Sequence, residues 1–396
     1  MMVNKKILIV GGGIAGPALA IYCHRLGAEV TLLESRNESE LDEGLFLGIS
    51  PNGLCVLSDL IDLSKLYREY SPGAINFFNA KGKKIAELDT DHQVEKYGWQ
   101  SIQVKRSSIS RLLHNEMRKL DITVLYDTSI VNLKETDDQV LPITSNGNLE
   151  PVDLVFGADG IHSECRRIIF PFAHKPKYTH QLSTGSILSI PGWCFEAKPV
   201  SMTFGTRAFF GYTTSSNHQV WWFNNYYRKA EPTREEIKTT LQKEIKNNLI
   251  KLHEKDHPPI KELIRQSTDI FAYPIYDMPE LEMWYTSNVC LVGDAAHATS
   301  PHIGQGASLA LEDVAILYRC LKTEKSPQAA FARFQDHRKP RVKKIIQQAR
   351  KVGNSKSKPN PVAVFFRDLF LRHFIKFEKK KMDWVYAYDA LQVRIC

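Results

Sequence analysis

Three short runs, far apart in the chain, hold the residues with the most chemical promise. The first is Gly11-Gly12-Gly13-Ile14-Ala15-Gly16, with an acid, Glu34, closing the next apolar run. The second is Gly157-Ala158-Asp159-Gly160-Ile161-His162-Ser163, followed by Arg166. The third is Leu291-Val292-Gly293-Asp294-Ala295-Ala296-His297, which leads to Pro301-His302-Ile303-Gly304-Gln305-Gly306. In the GxGxxG run, Gly11 permits a tight turn, Gly13 lets a pyrophosphate approach the backbone, and Gly16 lets a helix pack on a strand. The N–H groups that open the following helix, at Ile14 and Ala15, then face phosphate. Glu34 can accept two ribose hydroxyls and would repel a 2′-phosphate, which suits FAD or NAD rather than NADP at this site.

Such groups need strands to deliver them. Lys6 to Val10 reads as a buried parallel strand, Ile14 to Leu26 as a helix stopped by Gly27, and Ala28 to Leu33 as a second strand. That is a βαβ unit. Val152 to Phe156 and Asn288 to Val292 also read as buried strands, which places Asp159 and Asp294 at carboxyl ends, where open α/β sheets bind ligands. Asp294 could bond a ribityl hydroxyl. Gly304 and Gly306 allow close backbone approach, and the helix from Ala307 could stabilise negative charge on a reduced flavin. This third run favours FAD over NAD.

Cys55 to Tyr70 and Ser107 to Lys119 have helical periodicity. The texture from Phe172 to Asp269 differs: Pro199 to Thr213 and His218 to Arg228 are aromatic and β-prone, with a turn at Thr214 to Asn217. A capping box of Thr233 and Glu236 opens a helix there. Ser326 and Pro327 start a long basic helix, with a kink expected at Pro340, and a last apolar helix is expected from Val362 to Phe377.

The chain has 396 residues, more than one compact core accommodates. Its net charge of +8 is modest. Seven cysteines without CxxC pairs argue against a disulfide framework or zinc site and suit a reducing, cytoplasmic setting. No metal is expected. Glycines and Pro17 interrupt the apolar run from Ile7 to Cys23, so no transmembrane segment is expected. The basic stretch Arg338 to Lys351 reads as a solvated helix face, without a nucleic-acid fold signature.

The three runs, in this order, resemble the class A (single-component) FAD-dependent monooxygenases of the p-hydroxybenzoate hydroxylase type, over most of residues 5 to 350. The resemblance implies an α/β fold: a Rossmann-like FAD-binding domain of the GR2 type, an inserted β-sheet substrate domain, and C-terminal helices. It places the FAD-binding domain at residues 1–75, 100–170 and 270–325, the substrate sheet at 76–99 and 171–269, and bridging helices at 326–396. It implies FAD contacts from Gly11, Gly13, Ile14, Ala15, Gly16, Glu34, Asp294, Gly304, Gly306 and Ala307. Arg106 would lie near the pyrophosphate, and Asp159 would serve both FAD and NAD(P)H. NADPH would be a transient co-substrate, and one oxygen atom of O2 would reach a phenolic or enolic substrate through a C4a-hydroperoxyflavin. The flavin carries the chemistry, so no catalytic side chain is assigned. Two positions depart from the family: Ser308 where Asn is common, and Pro17 where Leu is common.

The middle sheet should roof the flavin, with Arg207, Phe209, Phe210, Tyr212, Trp222 and Phe223 as candidate substrate contacts. Alternation along a strand would point Arg207, Phe209 and Gly211 together. Any one of the aromatics could instead fill the sheet's own core. Pro301 and His302 would lie near the reacting edge, while His297 reads as a packing residue rather than a proton carrier. The GGGIAGPALA opening and the helical tail are similar to tetracycline-inactivating flavin monooxygenases, implying a tetracycline-type or related phenolic substrate. A flavin-dependent reductase without oxygen insertion is the alternative. A monomer is expected.

Overall fold

A computed structural model describes residues 2–42, 44–190, 198–239, 241–354 and 382–395. Five short strands form a parallel sheet in the order Val289–Leu291, Leu154–Gly157, Lys6–Val10, Glu29–Leu33, Thr123–Leu125. Their apolar side chains are buried because helices cover the sheet, as parallel sheets require. The helix Ala15–Arg25 is solvent-free from Gly16 to Cys23 and packs against the helices Gly306–Thr323 and Arg106–Lys119. Gly27, in the left-handed region at φ +81°, ends it as expected.

The expected helix from Cys55 to Tyr70 is two pieces, Pro51–Leu60 and a 3-10 turn at Leu63–Arg68. The Asp62 carboxylate accepts Ser64 N–H at 3.0 Å and starts a new turn, while Leu60, Leu63 and Leu66 still reach the core. The Thr233–Glu236 capping box is present, with both reciprocal bonds.

A seven-stranded sheet runs in the order Phe271–Asp277, Lys177–Ser189, Gln219–Tyr227, Phe209–Thr214, Lys198–Phe204, Ile75–Asn79, Lys84–Leu88. All its pairings are antiparallel except Lys198–Phe204 with Ile75–Asn79. The strand Phe271–Asp277, placed by sequence in the cofactor-binding segment, pairs here with Lys177–Ser189, so the sheet extends past residue 269. The helices Leu241–Leu252 and Ile260–Gln266 cover one face with Leu182, Phe210, Trp222 and Tyr226.

The expected strand from Pro199 to Thr213 breaks at Gly205–Ala208. Asp256 Oδ1 accepts both the N–H and hydroxyl of Thr206 at 2.9 Å and pins a hairpin turn there. Arg207 therefore sits exposed on a turn instead of sharing a strand face with Phe209.

The helix Pro327–Asn354 contains Pro340. Its basic run is the solvated face expected only in part: Lys343, Lys344, Arg350 and Lys351 are exposed, but two arginines turn inward. Arg338 is wholly buried against Glu312 and Asp313, and Arg341 grips Glu312 through Nε at 2.8 Å and Nη2 at 2.7 Å. Arg341 also donates to the carbonyls of Trp384 and Val385 and lies 3.9 Å over the Tyr388 ring, which holds residues 382–395 in place. The expected helix Val362 to Phe377 lies outside the described residues. Among the described residues, no helix is long and apolar enough to cross a membrane.

Candidate active site

The parallel order solves the problem of bringing distant runs together. Gly11, Glu34, Asp159 and Asp294 follow the carboxyl ends of four strands that are neighbours in one sheet. The approach is close. A Cβ on Gly11, at φ +112°, would sit 2.4 Å from Ala158 O, and one on Gly16 would sit 1.9 Å from Gly11 O. These glycines make a backbone cradle that side chains would fill.

Glu34 is buried and its Oε2 accepts Gly12 N–H at 2.7 Å. Its Oε1 accepts Arg36 N–H at 2.9 Å and Arg36 Nε at 3.0 Å. Burial opposes ionisation, but the Arg36 and Gly12 bonds win and hold the carboxyl below its ordinary range. Ser35 Oγ and Arg36 Nη2 also lie 3.4 Å from its oxygens, so the carboxylate's about four acceptor sites are already engaged, and a ribose hydroxyl would take the place of one of these two longer bonds. The sequence reading missed Arg36 and also His114. His114 Nε2 lies 2.8 Å from Gly12 O, and Nδ1 lies 3.0 Å from Tyr126 Oη. A carbonyl only accepts, so Nε2 carries the proton and Nδ1 accepts from Tyr126. Burial lowers the His114 pKa and favours this neutral form. The Arg106 guanidinium lies beside Gly13, where a Cβ would be 3.3 Å from its Nη2. Ile14 and Ala15 open the helix beside it.

Asp159 Oδ2 accepts Cys165 N–H at 3.0 Å, while Oδ1 is enclosed without a hydrogen-bond partner among the described residues. Burial raises its carboxyl pKa. Arg166 donates to Ala295 O at 2.8 Å and to Ile161 O at 2.5 Å, clamping the Asp159 loop to the Asp294 loop. Asp294 follows Gly293, which is at φ +59°, and its side chain is solvent-exposed. It nevertheless stands deep in the fold, and the surrounding protein raises its pKa against the pull of His297 and Arg106. His297 bonds Asp313 and packs 4.8 Å from the Trp284 ring, the structural role expected of it.

Pro301 and His302 lie on the 3-10 turn Pro301–Ile303, ahead of Gly304 at φ +62° and of Gly306 and Ala307, which open the long helix. Ser308 is wholly buried: its hydroxyl accepts Ser50 N–H at 3.3 Å and would be 2.6 Å from a Cβ on Gly53. Close helix packing at this point explains the small residue.

The seven-stranded sheet turns one face towards Leu45 and Phe46. The Phe46 ring lies 5.5 Å from Trp221 and 5.9 Å from Phe223, and a Cβ on Gly185 would touch Leu45. Phe209 shares that face, 6.0 Å from Phe223. Trp222 does not. It is buried on the helix side, stacked 5.3 Å from Phe210 and donating Nε1–H to Ser267 Oγ at 3.0 Å. Pleat alternation turns adjacent Trp222 and Phe223 to opposite faces, and register puts Tyr212 with Trp222. The same alternation would have identified Trp221 as facing with Phe223.

The chain matches the FAD binding domain family over residues 4–349. It is 31% identical over 359 residues to a flavin-dependent monooxygenase from an unknown prokaryotic organism, covering 86% of this chain and 87% of the relative. It is 29% identical over 375 residues to 2-heptyl-3-hydroxy-4(1H)-quinolone synthase of Pseudomonas aeruginosa, covering 92% and 93%. Klebsiella pneumoniae HpxO, solved with FAD and uric acid, superposes with a TM-score of 0.83 at 19% identity, covering 98% of this chain and 97% of that one. The tetracycline destructase Tet(51) superposes with a TM-score of 0.74 at 20% identity, covering 99% and 100%. At such identities the structural likeness shows a shared fold. The chain belongs to the FAD binding domain family and is a class A FAD-dependent monooxygenase.

Proposed function

We propose that this enzyme consumes NADPH and inserts one oxygen atom from O2 into a planar phenolic or enolic aromatic held between the strand-end loops and the Phe223 face of the sheet. The convergence of Gly11, Glu34, Asp159 and Asp294 at neighbouring strand ends carries the cofactor half of this reading. The glycine cradle, the solvent-open Asp294 and the unpaired Asp159 Oδ1 fit a dinucleotide with a polyol chain. Gly11, Gly13, Gly16 and the N–H groups of Ile14 and Ala15 would hold the pyrophosphate, with Arg106 beside it. Glu34 would take the adenosine ribose, Asp294 the ribityl chain, and Gly304, Gly306 and Ala307 the ring system. Bound FAD supplies the redox chemistry, accepting hydride from the nicotinamide and activating oxygen. The protein's own work is to orient the substrate ring and exclude water. Phe209, Phe223 and Phe46 would pack the ring, and Pro301 and His302 would border it. Residues 1–75, 100–170 and, beyond the strand Phe271–Asp277, the rest of 270–325 would form the cofactor unit, and the seven-stranded sheet would receive the substrate.

Two sources point to different aromatics. The quinolone-forming relative favours a fused heteroaromatic, and the destructase neighbour keeps a tetracycline in view. The test is NADPH oxidation by FAD-loaded protein with each compound, followed by product mass. Stimulated oxidation with a gain of one oxygen atom supports the monooxygenase reading and identifies the better substrate. A change in hydrogen count alone would replace it with a flavin-dependent reductase.

A further inference from the structure

We propose that Asn225 is the polar recognition point of the substrate pocket and selects an uncharged aromatic bearing an N–H or O–H donor. This rests on the reading that the Phe46 side of the seven-stranded sheet receives the substrate.

Register places the residue. Asn225 lies opposite Phe209 on one neighbouring strand and Ser183 on the other, two residues from Phe223. It therefore shares their face, inside an aromatic wall in which Phe209 packs 5.2 Å from Phe204 and 6.0 Å from Phe223. Its Oδ1 is shielded from solvent and has no hydrogen-bond partner among the described residues. A shielded amide oxygen left without a donor is disfavoured, and a donor on a bound ligand removes the penalty. Asn224 gives the contrast. It points to the helix side, where its amide nitrogen bonds Phe209 O at 2.8 Å and His253 Nε2 at 2.7 Å. The Asn224 oxygen is also unpaired, but it is sealed in the sheet–helix core, where no ligand enters.

Charge selects in the same direction. Between Ser183 and Ile187, Phe209 and Thr213, and Trp221 and Asn225, no position of this face carries a charged side chain. A carboxylate here would lose water without gaining a counter-charge. Arg207 is on the exposed turn beyond the strand. Apolar aromatic walls with one shielded, unpaired amide oxygen suit a neutral lactam- or enol-type ring, such as a 4(1H)-quinolone, whose N–H meets Asn225 Oδ1 while its rings pack on Phe209 and Phe223.

The test titrates FAD-loaded, full-length protein with 4(1H)-quinolone, 1-methyl-4-quinolone and quinoline-4-carboxylate, following perturbation of the flavin absorbance. The N–H compound should bind about tenfold or more tightly than either other probe. Asn225→Leu should bring the N–H to N-methyl ratio close to one at unchanged flavin content. Phe223→Ala should weaken both ligands alike. Discrimination that survives in Asn225→Leu while Phe223→Ala weakens both overturns the role of Asn225 and leaves the pocket standing. Binding that neither substitution alters, or wild-type protein that takes up none of the probes, overturns the pocket reading and the proposal together.

Discussion

Arg338 Nε donates to Asp313 Oδ1 across 2.7 Å, and neither side chain reaches solvent. The other oxygen of Asp313 accepts Gly293 N–H at 3.0 Å and bonds His297. One carboxylate thus ties the Asp294 loop to the long C-terminal helix. Removing one member of a buried pair leaves the other charge uncompensated, at a cost of about 3–5 kcal/mol. Arg338→Met should therefore shift the denaturation midpoint strongly and loosen FAD retention. An unchanged midpoint would show that the pair is not needed to hold the two helices.

The same carboxylate predicts a pH dependence. Burial opposes its ionisation, but His297 and Arg338 outweigh burial and hold the Asp313 pKa below its ordinary 3.8. With the folded value depressed, the unfolded chain takes up the proton first on acidification. The stabilisation is complete above 3.8 and is lost as pH falls through the lower folded value. Unfolding free energy measured against pH should fall less steeply below 3.8 in Asp313→Asn than in the wild type.

Gly16→Ala tests the cradle. The added methyl would lie 1.9 Å from Gly11 O, which is backbone and cannot swing aside. Overpacking of this kind costs about 1–3 kcal/mol or more, and the loop must shift to relieve it. Thermal unfolding should come earlier, and FAD should be lost on gel filtration. Full flavin occupancy in this variant would mean that helix and strand can separate without disturbing the cofactor.

Two neighbouring aromatics should behave oppositely. Trp222→Ala removes a fully buried ring from the helix-side core, a loss of about 3–5 kcal/mol. Phe223→Ala, on the half-buried opposite face, should leave most of the stability and weaken substrate binding instead. Comparing denaturation curves with substrate affinity for both variants would expose a reversed assignment.

Asp294→Ala should lower FAD occupancy, read as the flavin-to-protein absorbance ratio, in a chain that remains folded by circular dichroism. Among the described residues, the exposed carboxylate has no hydrogen-bond or ion-pair partner that its loss would strand. A variant as yellow as the wild type would remove Asp294 from the cofactor grip.

By itself the sequence determined the periodic elements and the loops between them. The strand–glycine–helix opening, the capping box at Thr233 and the acids after three buried strands all follow from local rules: steric freedom, side-chain capping and apolar run length. Local rules do not say which strands are neighbours. Only the tertiary structure sets Leu154–Gly157 between Lys6–Val10 and Val289–Leu291, so that the Asp159 loop closes on Gly11 and follows the strand next to the one that ends before Asp294. It also decided facing. Composition alone cannot rank Trp221, Trp222 and Phe223, and register sends only Trp222 to the helix-side core. Arg338 and Arg341 read as solvated charge until Glu312 and Asp313, far off in sequence, arrive to neutralise them. His114 and Arg36 gave no signal, since a histidine within a helix and an arginine after a strand become site residues only when folding brings Gly12 and Glu34 within hydrogen-bond reach.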